Sequence, residues 1–292
     1  MTQTRPQPRL ADPTRLARAR ARADLDAAGF LHDEARAELQ ERLIDVNRTF
    51  TAPALVTAFP DTWADFLPGA RIVAPHDTLG LTEGAHDLVV HAMALHWADD
   101  PVGQIVQCRR ALQPDGLFLS VAFGGETLTE LRQALAQAET ETLGGLSPRV
   151  APMAEIRDMG ALLQRAGLAL PVADRLLKTV TYADAFALMA DLRAMGETNA
   201  LADRHRTPAT RALFLRMAEI YAARFPAAND PSRIRATFEM IFLSAWAPHS
   251  DQPKPLRPGT AKARLADALG TSEFDATVPP ILNPSDDRGR KR

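Results

Sequence analysis

The stretch Leu95-His96-Trp97-Ala98-Asp99-Asp100-Pro101 puts an imidazole, an indole and two carboxylates directly after the apolar run Leu88-Val89-Val90. An indole can stack on a flat ring, and an imidazole can give or take a hydrogen bond. His96 and Trp97 are therefore candidates for lining a cofactor or substrate pocket. The same pair can equally plug a helix–sheet junction, with His96 bonded to a loop carbonyl. Asp99 and Asp100 read first as helix caps, because Asp100 at the N-cap with Pro101 behind it opens a helix. A second set is Gly124-Gly125-Glu126. Two glycines admit a ligand close to the backbone, and Glu126 suits a cationic partner such as an arginine side chain. A tight turn with an acid at a helix start explains them as well. A third set, Gly196-Glu197-Thr198-Asn199, either touches a protein substrate or caps helix ends. A metal site of two histidines and one carboxylate would need His91, His96 and Asp99 or Asp100 on one centre. Nothing in their spacing fixes them there, His76-Asp77 is weaker still, and no metal site is expected. There is no phosphate loop, nucleophile elbow or basic-aromatic surface.

These residues need elements to hold them. Asp87 to Ala92 predicts a buried strand, since a continuous apolar run is what a parallel sheet covered on both faces requires. A helix follows from Pro101, with Val102, Ile105, Val106, Arg109 and Leu112 at helical spacing and Cys108 beside that stripe as a small core residue. Gln113-Pro114-Asp115-Gly116 predicts a turn, and Leu117 to Phe123 the next strand. That is one βαβ unit. Ala54 to Phe59 and Ala70 to Ala74 predict two earlier strands, with Asp61 to Leu67 as a helix between them. Residues 13–47 read as helical. Further helices are predicted after Gly125 (Leu128, Leu131, Leu135 and Ala138 on one face), over Met153 to Ala166 with Gly167 behind it, and from Asp184 to Phe225. The stretch from Asp184 to Phe225 reads as a helical block, whose last helix carries Thr207 as cap and Pro208 at its first position. Short strands are expected near Leu168–Val172 and Leu177–Tyr182, a long one from Arg235 to Trp246, and a short helix near Lys262–Leu269. Alternating βα units predict an α/β fold with a doubly wound, Rossmann-like sheet. The expected partition is an arm over 1–47, a core over 48–182, a helical insertion over 183–233, a final core strand over 234–249 and a loose tail over 250–292. In such folds ligands sit at the carboxyl ends of the strands, the edge that His96-Trp97 and Gly124-Gly125 share.

Composition sets the outer limits. With 292 residues, 46% of them hydrophobic and 24% charged, the chain can build a core and stay in solution. A net charge of −2 gives no global argument for nucleic acid or an acidic membrane. No run approaches the length of a transmembrane helix. One cysteine, Cys108, excludes an intramolecular disulfide and a cysteine-rich zinc site and fits a reducing cytoplasm. The first 23 residues carry Arg5, Arg9, Arg15, Arg18, Arg20 and Arg22 against one acid, Asp12, which reads as a basic terminus leading into a solvated helix or as an organelle transit peptide.

The stretch DLVVHAMALHWADDP…ALQPDGLFLSVAFGGETLTELR resembles class I methyltransferases that use S-adenosylmethionine. It is closest to the branch that assists assembly of respiratory complex I (NADH:quinone oxidoreductase). AETETLGGLSPRVAP at Ala138–Pro152, LMADLRAMGETNAL at Leu188–Leu201 and the Arg235–Trp246 segment extend the resemblance. The malonyl-carrier-protein methyltransferases of biotin synthesis carry something similar to the His-Trp stretch. The resemblance implies S-adenosylmethionine as cofactor, held by Ala92, Met93, His96 and Trp97. It implies a protein substrate, possible to place on a complex I subunit, contacted by Gly124, Gly125, Glu126, Glu197 and Asn199. It also implies the bacterial cytoplasm, or the mitochondrial matrix in a eukaryote, with peripheral membrane contact as an option and no nucleic acid partner. The sequence departs from the family at one place. The cofactor loop of such enzymes has the form D-x-G-x-G-x-G, and the matching segment here, ALVTAFPDTWADFLPGA, reaches its first glycine only at Gly69. The spacing to Asp87 is roughly that of a single βαβ unit, so the N-terminal half of the sheet is expected to be truncated. Three readings stay open: methyl transfer to a protein side chain, a non-catalytic assembly factor that has lost its cofactor, and arginine hydroxylation.

Overall fold

The computed structural model describes residues 9–253. Three helices lead in: α1 (Pro13–Arg20), α2 (Leu25–Ala28) and α3 (Phe30–Val46). Residues 13–47 are thus helical in pieces rather than in one run. Asp12 caps α1 and Asp24 caps α2, each accepting a backbone N–H three residues on, so each acid starts a new helix. There follow β1 (Pro53–Thr57), α4 (Pro60–Trp63), β2 (Arg71–Val73), β3 (His86–Ala92), a 3₁₀ turn (Leu95–Trp97), α5 (Pro101–Ala111) and β4 (Leu112–Phe123). After these come α6 (Thr129–Leu143), α7 (Ile156–Arg165), β5 (Ala169–Tyr182), α8 (Ala185–Ala194), α9 (Arg211–Arg224) and β6 (Ile234–Trp246).

The six strands form one sheet in the order β2-β1-β3-β4-β6-β5. β2, β1, β3 and β4 run parallel, and β6 is antiparallel to both β4 and β5. A full doubly wound sheet carries two strands outside its first one. Among the described residues only the three-residue β2 lies beyond β1, one strand fewer than in the full sheet, as the spacing predicts. β1 and β3 are buried at every residue, as strands covered on both faces must be. Alternation sorts their side chains between two cores. Leu55, Leu88 and Val90 join the core under α3, α6, α8 and α9. Ala54, Val56 and Val89 join the core under α5 and α7.

Several expected boundaries move. Gln113 to Gly116 falls within the bounds of β4 but is skipped by the register with β3, which passes from Leu112 to Leu117; that irregularity and Asp115 at φ 59° record the expected turn. The two short strands near 168–182 are one strand, broken only by an irregularity between Ala169 and Val172. α4 ends at Trp63 and α7 starts at Ile156. The helical block over 184–225 consists of α8 and α9, and its last helix is capped by Thr210, not Thr207. Lys262–Leu269 lies outside the described residues.

Candidate functional site

The site grows from the carboxyl end of β3. Met93 turns the chain with φ 48°, held by its N–H donating to the Val121 carbonyl at 2.9 Å. The 3₁₀ turn then sends His96 and Trp97 toward the loop after α8. That loop is built by a glycine. Gly196, at φ 78°, stops α8: its N–H donates to the Arg193 carbonyl and the next N–H, of Glu197, to the Leu192 carbonyl at 2.8 Å. This is the paired closure that a left-handed residue allows at a helix end. Side-chain space is short there too, because a Cβ would lie 3.3 Å from Phe59, Ala23 and Arg20 atoms.

The turn delivers Glu197 onto the His-Trp pair. Trp97 Nε1–H donates to Glu197 Oε2 at 2.7 Å, and His96 Nε2 meets Glu197 Oε1 at 3.3 Å. The His96 side chain is 1% exposed and that of Glu197 11%. Facing a carboxylate, His96 Nε2 is the protonated nitrogen; Nδ1 is buried with no partner. Burial alone would push the Glu197 carboxyl up. Electrostatic attraction to His96, hydrogen bonds from His96 and Trp97, and nearby Arg20 outweigh it and hold the group below the usual carboxylate range. Burial pushes the Arg20 guanidinium down, and the negative charge of Glu197 opposes that. The His96 ring also packs on Phe123, with centroids 4.9 Å apart.

Asp99 and Asp100 do structural work. Asp100 accepts the Gly103 N–H at 2.8 Å and caps α5. Asp99 accepts the Leu10 N–H at 2.7 Å, tying down the segment before α1. That segment also pairs Ala11 with Leu201, and Leu16 of α1 packs in one cluster with Trp97, Ala151 and Ala200.

Gly124 and Gly125 face their own protein. A Cβ on Gly124 would meet Glu239 Oε2 and Ile241 Cδ1 at 2.6 Å, and one on Gly125 would meet Glu155 Oε1 at 2.9 Å. Glu239, 1% exposed in β6, organises this turn by accepting the Glu126 N–H at 2.9 Å and, through its backbone carbonyl, the Gly124 N–H at 2.9 Å. The Glu126 carboxylate accepts from Arg175 at 2.7 Å. Glu239 and Arg175 were not singled out in the sequence, where neither sits in a motif.

The space at the carboxyl end of β1 is where a glycine-rich loop would admit a cofactor. Here the chain's own aromatic side chains occupy it. Trp63 is fully buried and donates its Nε1–H to His32 Nδ1 at 3.0 Å. Phe59 stacks edge-on to His32 at 5.2 Å and Phe66 edge-on to Trp63 at 5.3 Å. The first glycine after β1, Gly69, lies just before β2 with nothing near its missing Cβ.

His91, His96 and Asp99 are not brought together. His91 faces α5, where its Nε2 meets Gln104 Oε1 at 2.8 Å. Gln104 Nε2 donates to the His76 carbonyl, which fixes the amide so that its oxygen accepts from His91. Among the described residues no three His, Cys, Asp or Glu side chains are grouped to hold a metal ion.

Of the sequence candidates, Trp97, Glu197 and Asn199 line one cavity of about 280 Å³. Its wall is mostly apolar, from Phe123, Leu128, Leu131, Leu135, Phe214 and Phe238. Asn199 is held by its Nδ2–H donating to the Pro148 carbonyl at 3.0 Å. Ala92, Met93, His96, Gly124, Gly125 and Glu126 are not among the residues that line it.

Residues 27–120 match the family described as a methyltransferase domain. Arginine-hydroxylase NDUFAF5, mitochondrial, of Dictyostelium discoideum is 39% identical over 209 residues, covering 70% of this chain and 48% of that protein. The protein of the same name from Danio rerio is 32% identical over 222 residues, covering 76% of this chain and 68% of that one. Malonyl-[acyl-carrier protein] O-methyltransferase of Xylella fastidiosa (strain M23) is 36% identical over 184 residues, covering 63% and 59%. The chain thus spans about half the length of the Dictyostelium relative and just over two-thirds of the zebrafish one. The match to a methyltransferase domain and these identities place the chain in the NDUFAF5 family of methyltransferase-domain proteins.

Proposed function

We propose that this protein serves respiratory complex I assembly by binding a protein subunit through the carboxyl edge of its sheet, without S-adenosylmethionine. The observation that carries the reading is the packing of His32, Phe59, Trp63 and Phe66 at the end of β1. A family member that kept its cofactor would need that space open. Trp97, Glu197 and Asn199, which line the cavity, are the site residues assigned to partner contact. Ala92 at the end of β3, and Met93 and His96 in the turn after it, support them from behind. Glu126 already holds Arg175, so an arginine from a partner reaches Glu126 only by displacing that side chain. No described helix is long and apolar enough to cross a membrane, so attachment at a membrane would be peripheral. The compartment is the one in which complex I is built, the bacterial cytoplasm or the mitochondrial matrix.

The match of residues 27–120 to a methyltransferase domain favours a second reading, methyl transfer to a protein side chain. The name of the NDUFAF5 relatives favours arginine hydroxylation as the modification. Titration calorimetry separates the cofactor-free role from methyl transfer. The expected result is no heat of binding for S-adenosylmethionine, together with loss of NADH:quinone oxidoreductase activity when the gene is deleted. Tight one-to-one binding sinks the cofactor-free reading, and normal complex I after deletion sinks the assembly role. Mass spectrometry of complex I subunits from the deletion strain tests hydroxylation: an arginine that loses added oxygen there would establish it.

A further inference from the structure

A basic cleft adjoins the cavity. It is walled by Arg15, Arg18 and Arg22 of the α1 segment, facing Arg193 and Arg204, and encloses about 290 Å³. Arg15 and Arg18, three residues apart, share one face of α1, and Arg22 joins them from the turn just past its end. The one acid in the wall, Asp12, is committed twice. It caps α1 through the Arg15 N–H and pairs with Arg204 at 3.0 Å. Arg18, Arg22 and Arg193 are exposed and have no ion-pair partner among the described residues. So much unneutralised positive charge in one concavity is a local feature that a net charge of −2 conceals. The cleft shares Arg15, Arg193 and Thr198 with the apolar cavity beside it.

We propose that cleft and cavity together bind an amphiphile with a phosphate at one end and an alkyl chain at the other. Planar guanidinium groups pair bidentately with phosphate oxygens, and three free ones converge where the head would sit. The adjoining wall of leucine and phenylalanine side chains receives the chain, whose removal from water supplies the driving force. Phosphate is favoured over a single-charge head because the cleft offers more free cations than one carboxylate can neutralise. The inference goes beyond the partner-binding role: the chain would enter the cavity that Trp97, Glu197 and Asn199 line, and amphiphile binding is read without complex I activity, so either can fail alone.

The test is calorimetry on the full chain with decyl phosphate, below its micelle concentration. Inorganic phosphate, butyl phosphate, decanol and decanoate serve as comparisons. Decyl phosphate is expected to bind at least about tenfold more tightly than each of these. The exposed double variant R18Q/R22Q should fold normally and lose about tenfold or more of that affinity. Decyl phosphate no tighter than butyl phosphate would remove the cavity from the site. Decanoate binding equally well would overturn the phosphate assignment. An unchanged R18Q/R22Q affinity would remove the cleft. Vesicles of phosphatidylglycerol separate the sources: a free amphiphile leaves the protein unbound to them, whereas vesicle binding lost in R18Q/R22Q assigns the head to a membrane lipid. An acidic peptide that binds the cleft where decyl phosphate does not would overturn the proposal in favour of protein docking.

Discussion

Glu197 accepts from two aromatic side chains at once, so its loss strands two buried donors. Glu197→Ala is expected to cost about 2–4 kcal/mol, because the Trp97 and His96 N–H groups are left unpaired in a low-dielectric setting. Glu197→Gln keeps an acceptor for one of them and should cost clearly less. Urea denaturation of the two variants checks the order; equal losses would mean that the carboxylate does not hold the pair. Gly124→Ala is expected to destabilise by about 1–3 kcal/mol, since its methyl meets Glu239 and Ile241 with nowhere to go. A neutral effect in the same assay would show that β6 yields there. At this scale the sequence was informative about residue type and poor about pairing. His96-Trp97 stood out because both carry polar atoms after an apolar strand. Nothing local could show that their partner lies about a hundred residues away, since that contact is made by the fold.

Elements explain where the partner comes from. Gly196 turns α8 back on itself, and Glu197 reaches the pair only because of that turn. Gly196→Ala forces a side chain into the left-handed region, at about 1–2 kcal/mol, and crowds Phe59 and Arg20 as well. The expected result is that loss, with the Glu197→Ala penalty reduced in the double variant because the contact is already weakened. Additive losses would show the turn and the contact to be independent. The strand-helix-strand unit through α5 was legible from its continuous apolar run, Asp-Pro cap and helical stripe. The break at Gly196 was legible only as one of two readings, since the set Gly196 to Asn199 suits a helix end and a substrate contact alike. The missing edge strand was legible from spacing alone. The aromatic packing beside β1 was not, because apolar residues after a strand predict burial without saying what they bury.

The whole molecule carries a pH dependence from two buried histidines. Burial pushes His32 and His91 down to about 4 from the ordinary 6.5; the pull of Glu197 on His32 and the Gln104 hydrogen bond to His91 do not cancel it. In the unfolded chain both rings protonate as the pH falls through 6.5, while in the folded protein they stay neutral until about pH 4. The unfolded state therefore binds more protons across that window, and stability falls on acidification. Above pH 6.5 neither ring contributes. The loss approaches an order of 3 kcal/mol per ring near pH 4. Urea midpoints from pH 7.5 to 4.5 should drop steeply below about 6.5, and His91→Gln should flatten the slope. A slope unchanged by that variant would assign the dependence elsewhere.

The strap formed by the residues just before α1 has a consequence for the growing chain. Asp12 pairs with Arg204 across 192 positions, and Ala11 lies against Leu201. Loop closure over such a span comes late, and a ribosome delivers residues in order. The indole of Trp97 is therefore made long before Ala200 and Leu201 arrive to cover it. For that interval the nascent protein presents a greasy, unsheltered corner at its future working edge, the place where a chaperone would have most to do.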